Sequence, residues 1–166
     1  MLRFEPIDLA ARGSDAVAIR ADSFEVSFGS AEEFFSDYGS DGSLYLDHLR
    51  NRMAAQPGSC VHVWNDSAII GQIELRDGRD DPREGYVNLY YLVPESRGFG
   101  IGRELDSYAV RWFLGRRMTS AALGVSQINT RAVSFYLNLG WVSHGEHHKD
   151  KKVILMRKDL RRPHAA

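Results

Sequence analysis

The sequence predicts a single domain of the α/β (α+β) class spanning residues 1–166, with strands and helices intermixed along the chain. Three observations predict it. A length of 166 residues suits one substantial core and would be cramped as two. A hydrophobic content of 43% beside 26% charged residues belongs to a globular chain, not to a disordered or membrane-embedded one. The apolar pattern also switches repeatedly between a period of two and a helical period, in the order β-α-α-β-β-β-α-β-α-β-β.

Each element has its own warrant. LRFEPI (2–7) alternates and predicts a strand. Val17, Ile19, Phe24 and Phe28 fall near helical spacing and predict a helix over 15–28. The segment SAEEFFSDYGSDG (30–42) is acidic and aromatic and ends in turn residues, with Ser30 and Glu33 spaced as a capping box. A second helix over 43–58 is stopped by Pro57 and Gly58. Strands over 59–64 and 67–75 flank a turn at Asn65-Asp66, and 76–85 is a polar loop. YVNLYYLV (86–93) is rich in aromatic and β-branched residues and predicts a strand. Ile101, Leu105, Tyr108, Ala109, Trp112 and Phe113 make one apolar stripe on a helix over 100–117. A short strand (120–125) precedes a helix over 129–140, with Asn129 as N-cap and Gly140 as its stop. WVSHGEHH and KKVILMRK form a last strand pair around Lys149-Asp150, and RRPHAA (161–166) predicts a flexible tail.

Composition limits the function. Cys60 is the only cysteine, which excludes an intrachain disulfide framework and a cysteine-based zinc knuckle. The first residues, MLRFEPIDLAARG, have no long apolar core, so no secretory leader and no membrane span are expected, and a cytoplasmic location is. The net charge of −1 conceals an asymmetry: residues 1–50 carry ten carboxylates against four bases, and residues 100–166 carry twelve bases against five carboxylates. That pattern suits an anionic ligand on the basic half and a cationic one on the acidic half. It argues against a nucleic-acid partner, which requires a basic stripe. His144, His147 and His148 lack an acidic cluster and lie among Lys149, Lys151 and Lys152, so they read as a solvated hairpin with no metal. His62 reads as a packed or surface histidine.

The stretch LVPESRGFGIGREL (92–105) places Gly98, Gly100 and Gly102 between a strand and a helix. A helix start there offers unpaired amides and a positive dipole, and Arg97 and Arg103 add charge, so the turn suits an anion such as phosphate. It is not a Walker A loop, since Gly-Lys-Ser/Thr is absent, and no register of Gly-x-Gly-x-x-Gly closes on a third glycine. What is satisfied is Arg-x-x-Gly-x-Gly, by Arg97, Gly100 and Gly102. A second block, LGVSQINTRAVSFYLNLGW (123–141), leads from a short strand to Asn129, then Tyr136, then Leu139-Gly140-Trp141.

The two blocks, in this order and separation, resemble the acyl-CoA loop and the second conserved region of the GNAT superfamily of N-acetyltransferases. The resemblance covers nearly the whole element order, while the first 50 residues carry no motif of that family. It implies a mixed, mostly antiparallel sheet splayed into a V-shaped cleft and flanked by about four helices. It implies acetyl-CoA as co-substrate, with no metal, and acetyl transfer by direct attack of a primary amine. Tyr91, Leu92 and Val93 would pair with the pantetheine arm, and an amide near Leu92 or Val93 would be the oxyanion donor. Arg97, Gly98, Phe99, Gly100, Ile101, Gly102 and Arg103 would hold the pyrophosphate. Asn129 would contact the arm, and Tyr136 would be the acid that protonates the departing thiolate.

The base is open. Gly124 stands where some protein-acetylating relatives have a glutamate. Glu74 is the best local carboxylate and could act through water; the competing reading makes it an exposed strand carboxylate, and solvent is the alternative base. On the acceptor side, Glu33, Phe34 and Tyr38, with the neighbouring carboxylates, would receive a cationic small molecule or peptide amine. Two alternatives stay open: a catalytically silent acyl-CoA-binding sensor, and a toxin of this family acting on aminoacyl-tRNA. The resemblance also admits a homodimer.

Overall fold

The computed structural model describes residues 1–161, so all but Arg161 of the tail expected over 161–166 lies outside the described residues. Seven strands form one sheet in the order β1-β2-β3-β4-β5-β7-β6. The chain divides into two compact units: Met1–Glu74 with Leu89–Phe99, and Leu75–Asn88 with the chain from Gly100 onward.

The first unit begins with β1 (Leu2–Pro6), α1 (Leu9–Phe28), α2 (Glu32–Tyr38) and α3 (Ser43–Ala55). β2 (Cys60–Asn65) pairs antiparallel with β1 and with β3 (Ala68–Asp77). Helix α1 starts six residues before the apolar repeat becomes legible. Asp8 caps it, accepting the amides of Ala10 and Ala11 at 3.1 and 3.0 Å, and a non-helical Arg12 interrupts the repeat just inside. The acidic segment is itself helical, which makes five helices where about four are expected. Its driving force is Phe34, which is fully buried against the rings of Phe24, Phe35, Tyr38 and Tyr45. The expected capping box does not form: Ala31 is the N-cap of α2, and the Ser30 hydroxyl accepts the Glu32 amide at 3.1 Å.

The second unit holds the start of β4 (Glu84–Leu92), then α4 (Ile101–Gly115), β5 (Ser120–Ser126), α5 (Thr130–Asn138), β6 (Val142–His147) and β7 (Asp150–Asp159). β4 and β5 are parallel, and β5–β7 and β7–β6 are antiparallel. The parallel ladder runs from Glu84↔Ser120 to Val87↔Leu123, while β4 continues to Leu92 and β5 to Ser126. Leu105, Ala109 and Phe113 are the buried face of α4, as the stripe predicts. The stripe also holds Asp106, which is only 3% exposed and is taken up below.

Candidate active site

The turn after β4 is built from local hydrogen bonds. The Val93 amide donates to the Ile70 carbonyl at 2.9 Å, and the Ser96 and Arg97 amides donate to the Val93 and Pro94 carbonyls. Gly98 (φ 89°) and Gly100 (φ 80°) then adopt the left-handed conformation, which disfavours a Cβ. Gly100 is the N-cap of α4, and among the described residues no side chain caps that helix. A Cβ on Gly100 would have nothing within 4 Å, so the space above this helix start is open. The uncapped start of this 15-residue helix presents first-turn amides and the positive end of the helix dipole, which suit an anion.

Gly102 serves packing instead. A Cβ there would stand 2.5 Å from Cε2 of Phe135. The third glycine of the turn therefore lets α5 approach α4, a role that spacing alone does not separate from ligand approach. Gly102→Ala is expected to lose about 1–3 kcal/mol of stability by overpacking. A denaturant titration checks this, and Phe135→Leu on top should recover most of the loss.

The flanking side chains divide. Arg97 turns back onto β4: its Nε donates to the Leu92 carbonyl at 2.8 Å and its guanidinium lies 5.6 Å from the Tyr91 ring centre. Tyr91 donates to Asp22 of α1 at 2.6 Å, and its phenol is pushed up to about 12, first by burial and then by Asp22. Phe99 is 77% exposed, and Arg103 is exposed.

Asn129 caps α5 as expected, its Oδ1 accepting the Ala132 amide at 3.2 Å. Tyr136 is buried, with its ring edge-on to Phe135 and Trp141. Burial raises its phenol well above the ordinary range, with the charge of Asp106 and then Tyr86 adding to the effect, so it is protonated at neutral pH. Beneath it, the Trp141 indole donates to Asp106 Oδ1 at 3.0 Å, and the Lys158 ammonium donates to Asp106 Oδ2. Lys158 is 3% exposed, and burial lowers its pKa against the pull of Asp106. The sequence reading missed this pair. Its signals were an aspartate on the buried stripe of α4 and a lysine sharing the inward alternation of Met156.

Glu74 is not the exposed strand carboxylate of the competing reading: it is 2% exposed. Its Oε1 accepts from Tyr45 at 2.5 Å and from Gln72 at 3.0 Å, and its Oε2 pairs with Arg52 at 3.3 Å. Gln72 links onward to His62, which is buried and whose pKa is lowered by that burial. Tyr45 is raised far above its ordinary range by burial and by Glu74. Both oxygens of Glu74 are thus engaged by α3 and β3. On the acceptor segment, Glu33 is exposed, Tyr38 is half-buried against Phe34, Tyr45 and His48, and Phe34 is enclosed and cannot touch a ligand. His147 and His148 stack at 4.6 Å in the hairpin, and among the described residues no group of three or more His, Cys, Asp or Glu is placed to hold a metal ion.

The sheet is mostly antiparallel with one parallel pair, and a left-handed glycine turn leads from β4 into an uncapped helix. Residues 25–141 match the acetyltransferase (GNAT) family model, and the chain belongs to that family. It is 27% identical over 113 residues to a mycothiol acetyltransferase of Streptomyces griseus subsp. griseus, a match covering 66% of this chain and 36% of that protein. A mycothiol acetyltransferase of Frankia casuarinae is 28% identical over 123 residues, with the same coverage. The chain thus spans about a third of the length of these curated relatives. Among solved structures, the PaiA N-acetyltransferase from Thermoplasma acidophilum, in complex with coenzyme A, superposes with a TM-score of 0.76 at 18% identity, covering 96% of this chain and 99% of that one. YncA from Salmonella typhimurium, with acetyl-CoA, gives 0.68 at 17% identity, covering 100% and 96%. At these identities the fold is what is shared. No helix among the described residues is long and apolar enough to cross a membrane.

Proposed function

We propose that this chain is an acetyl-CoA-dependent N-acetyltransferase acting on a primary amine. The observation that carries the reading is the pair of left-handed glycines leading into an uncapped α4, with open space over Gly100. The amides from Gly98 to Gly102 would hold the pyrophosphate, with Phe99 and Ile101 flanking it and Arg97 released from Leu92 to join them; the Arg103 amide already donates to the Gly100 carbonyl at 3.0 Å, and its side chain adds charge. Acetyl-CoA, when bound, supplies an activated acetyl thioester.

The end of β4 beyond its last pairing with β5, at Tyr91–Val93, would receive the pantetheine arm, together with the amide NH2 of Asn129. The Val93 amide is committed to Ile70, and strand alternation turns the Leu92 amide to the opposite edge. Leu92 is therefore the oxyanion donor. As the amine attacks the carbonyl carbon, the C–N bond forms, the C–S bond breaks, and Tyr136 gives its proton to sulfur. Because Tyr45, Gln72 and Arg52 engage both oxygens of Glu74, we assign removal of the ammonium proton to solvent rather than to Glu74 acting through water.

The exposed Glu32, Glu33 and Asp37 of α2 favour an acceptor that arrives as a cation. A cytoplasmic location and a homodimer belong to the same reading.

Calorimetric titration with acetyl-CoA tests it, with Gly100→Glu as the comparison. A carboxylate placed at the helix start should weaken binding at least ~100-fold, by repulsion and by opposing the dipole. Equal affinity in the two proteins, or none in the wild type, overturns the reading. Binding without thiol release from any amine would favour a sensor.

A further inference from the structure

The chain leaves α5 by a turn that folds back on the end of the helix. Gly140 takes the left-handed conformation, at φ 84°. The Gly140 amide donates to the Leu137 carbonyl at 3.0 Å, and the Trp141 amide donates to the Tyr136 carbonyl at 3.1 Å. These are the two bonds of a Schellman motif, in which the residue after the glycine packs against the last turn of its own helix. Here that contact is Trp141 on Tyr136, with the ring centres 5.9 Å apart and the planes at 71°. The spacing of Tyr136, Gly140 and Trp141 in the sequence is therefore the spacing of one helix stop.

Trp141 is held from other elements as well. Its indole donates to Asp106 of α4 at 3.0 Å. Lys158 of β7 donates to the other oxygen of Asp106, and its ammonium lies 5.6 Å from the Trp141 ring centre. Val142, the next residue, is in register with Arg157, which brings Trp141 beside Lys158. Trp141, Asp106 and Lys158 are all buried. A buried ion pair is a costly way to stabilise a fold, since apolar residues of similar size often serve as well or better. What the pair supplies is a directional acceptor, which fixes the rotation of the indole as apolar packing does not.

We propose that Trp141, anchored by Asp106 and Lys158, is a positioning residue for Tyr136: it fixes the phenol ring, and with it the place from which the hydroxyl gives its proton. This rests on Tyr136 being the acid of the transferase reading above. A residue that acts through Tyr136 has no further effect on turnover once the hydroxyl is gone, whereas a residue that only supports the fold does.

The test is a double-variant cycle on the full chain. Thiol release from acetyl-CoA is followed with spermidine, glucosamine and a lysine-containing peptide as amines, in wild type, Trp141→Phe, Tyr136→Phe and the two combined. Trp141→Phe keeps a ring against Tyr136 and deletes the indole donor. It should lower kcat about 10- to 100-fold, leave the KM for acetyl-CoA unchanged, and add nothing when Tyr136 is already Phe. Losses that multiply in the combined variant, or no loss in Trp141→Phe, overturn the proposal. Asp106→Asn/Lys158→Met removes both charges and keeps the acceptor, so it should turn over like wild type. Asp106→Leu/Lys158→Met removes the acceptor and should match Trp141→Phe. Equal turnover in these two pairs overturns the role given to the acceptor. Crystals of wild type and Trp141→Phe give a readout that needs no turnover: the Tyr136 hydroxyl should be displaced or split between conformers in the variant. That displacement without thiol release from the wild type removes the transferase reading and keeps the positioning. A hydroxyl in the same place in both crystals overturns the positioning, whatever the turnover.

Discussion

Tyr136→Phe should lower kcat about 100- to 1,000-fold, the scale of a lost general acid, while leaving acetyl-CoA affinity within a few-fold of wild type. The substitution keeps the ring that packs on Phe135 and Trp141 and deletes only the hydroxyl. Rapid-quench and steady-state rates check the first statement and calorimetry the second. A variant that turns over within a few-fold of wild type would leave Tyr136 as a packing residue. The pH behaviour gives an independent reading. The phenols of Tyr136 and Tyr45 are both raised in the folded state, so neither ionises at neutral pH. Their contribution to stability is therefore complete below the unfolded value of about 10 and is lost as pH rises above it. Alkaline unfolding should begin there, and Tyr136→Phe should soften it.

Asp106→Ala should have the largest structural effect. It leaves the Lys158 ammonium buried with no counter-ion and the Trp141 indole without its acceptor. Loss of one member of a buried pair costs about 3–5 kcal/mol, which for a chain of this size lowers Tm by about 6–20 °C. Lys158→Met added to Asp106→Ala should return much of that stability, because the stranded charge is then gone. Thermal melts of the single and double variants decide it. A single variant within about 1 kcal/mol of wild type would mean that water reaches Lys158.

These two residues mark where sequence reading works and where it stops. The Asn129–Trp141 block was legible because its parts are local: an N-cap, a helix and a glycine stop lie within one stretch of chain. The order of elements along the chain was legible, α2 aside, because strand and helix periods alternate clearly. Partnerships across the fold were not. Glu74 reads as a surface carboxylate on an alternating strand until α3 lays Tyr45 and Arg52 over it. Phe34 looks like a contact for a ligand until Phe24 and Tyr45 close around it. Gly102 reads as part of a phosphate cradle until Phe135 arrives from a helix some thirty residues on. In each case an isolated residue type was correct and its neighbour was invisible, because tertiary contacts decide burial and spacing along the chain does not.

Cys60 has a practical consequence. It is the only thiol in the chain, it is fully buried, and its pKa is pushed to about 11, by burial and then by Glu74 across the ladder. A disulfide reagent used to count any released thiol will therefore see almost no background from the native chain. The same residue becomes a gauge of opening. Under mild denaturant, the rate at which the reagent modifies Cys60 measures how often the sheet around β2 comes apart, with one labelled position and no second thiol to confuse the trace.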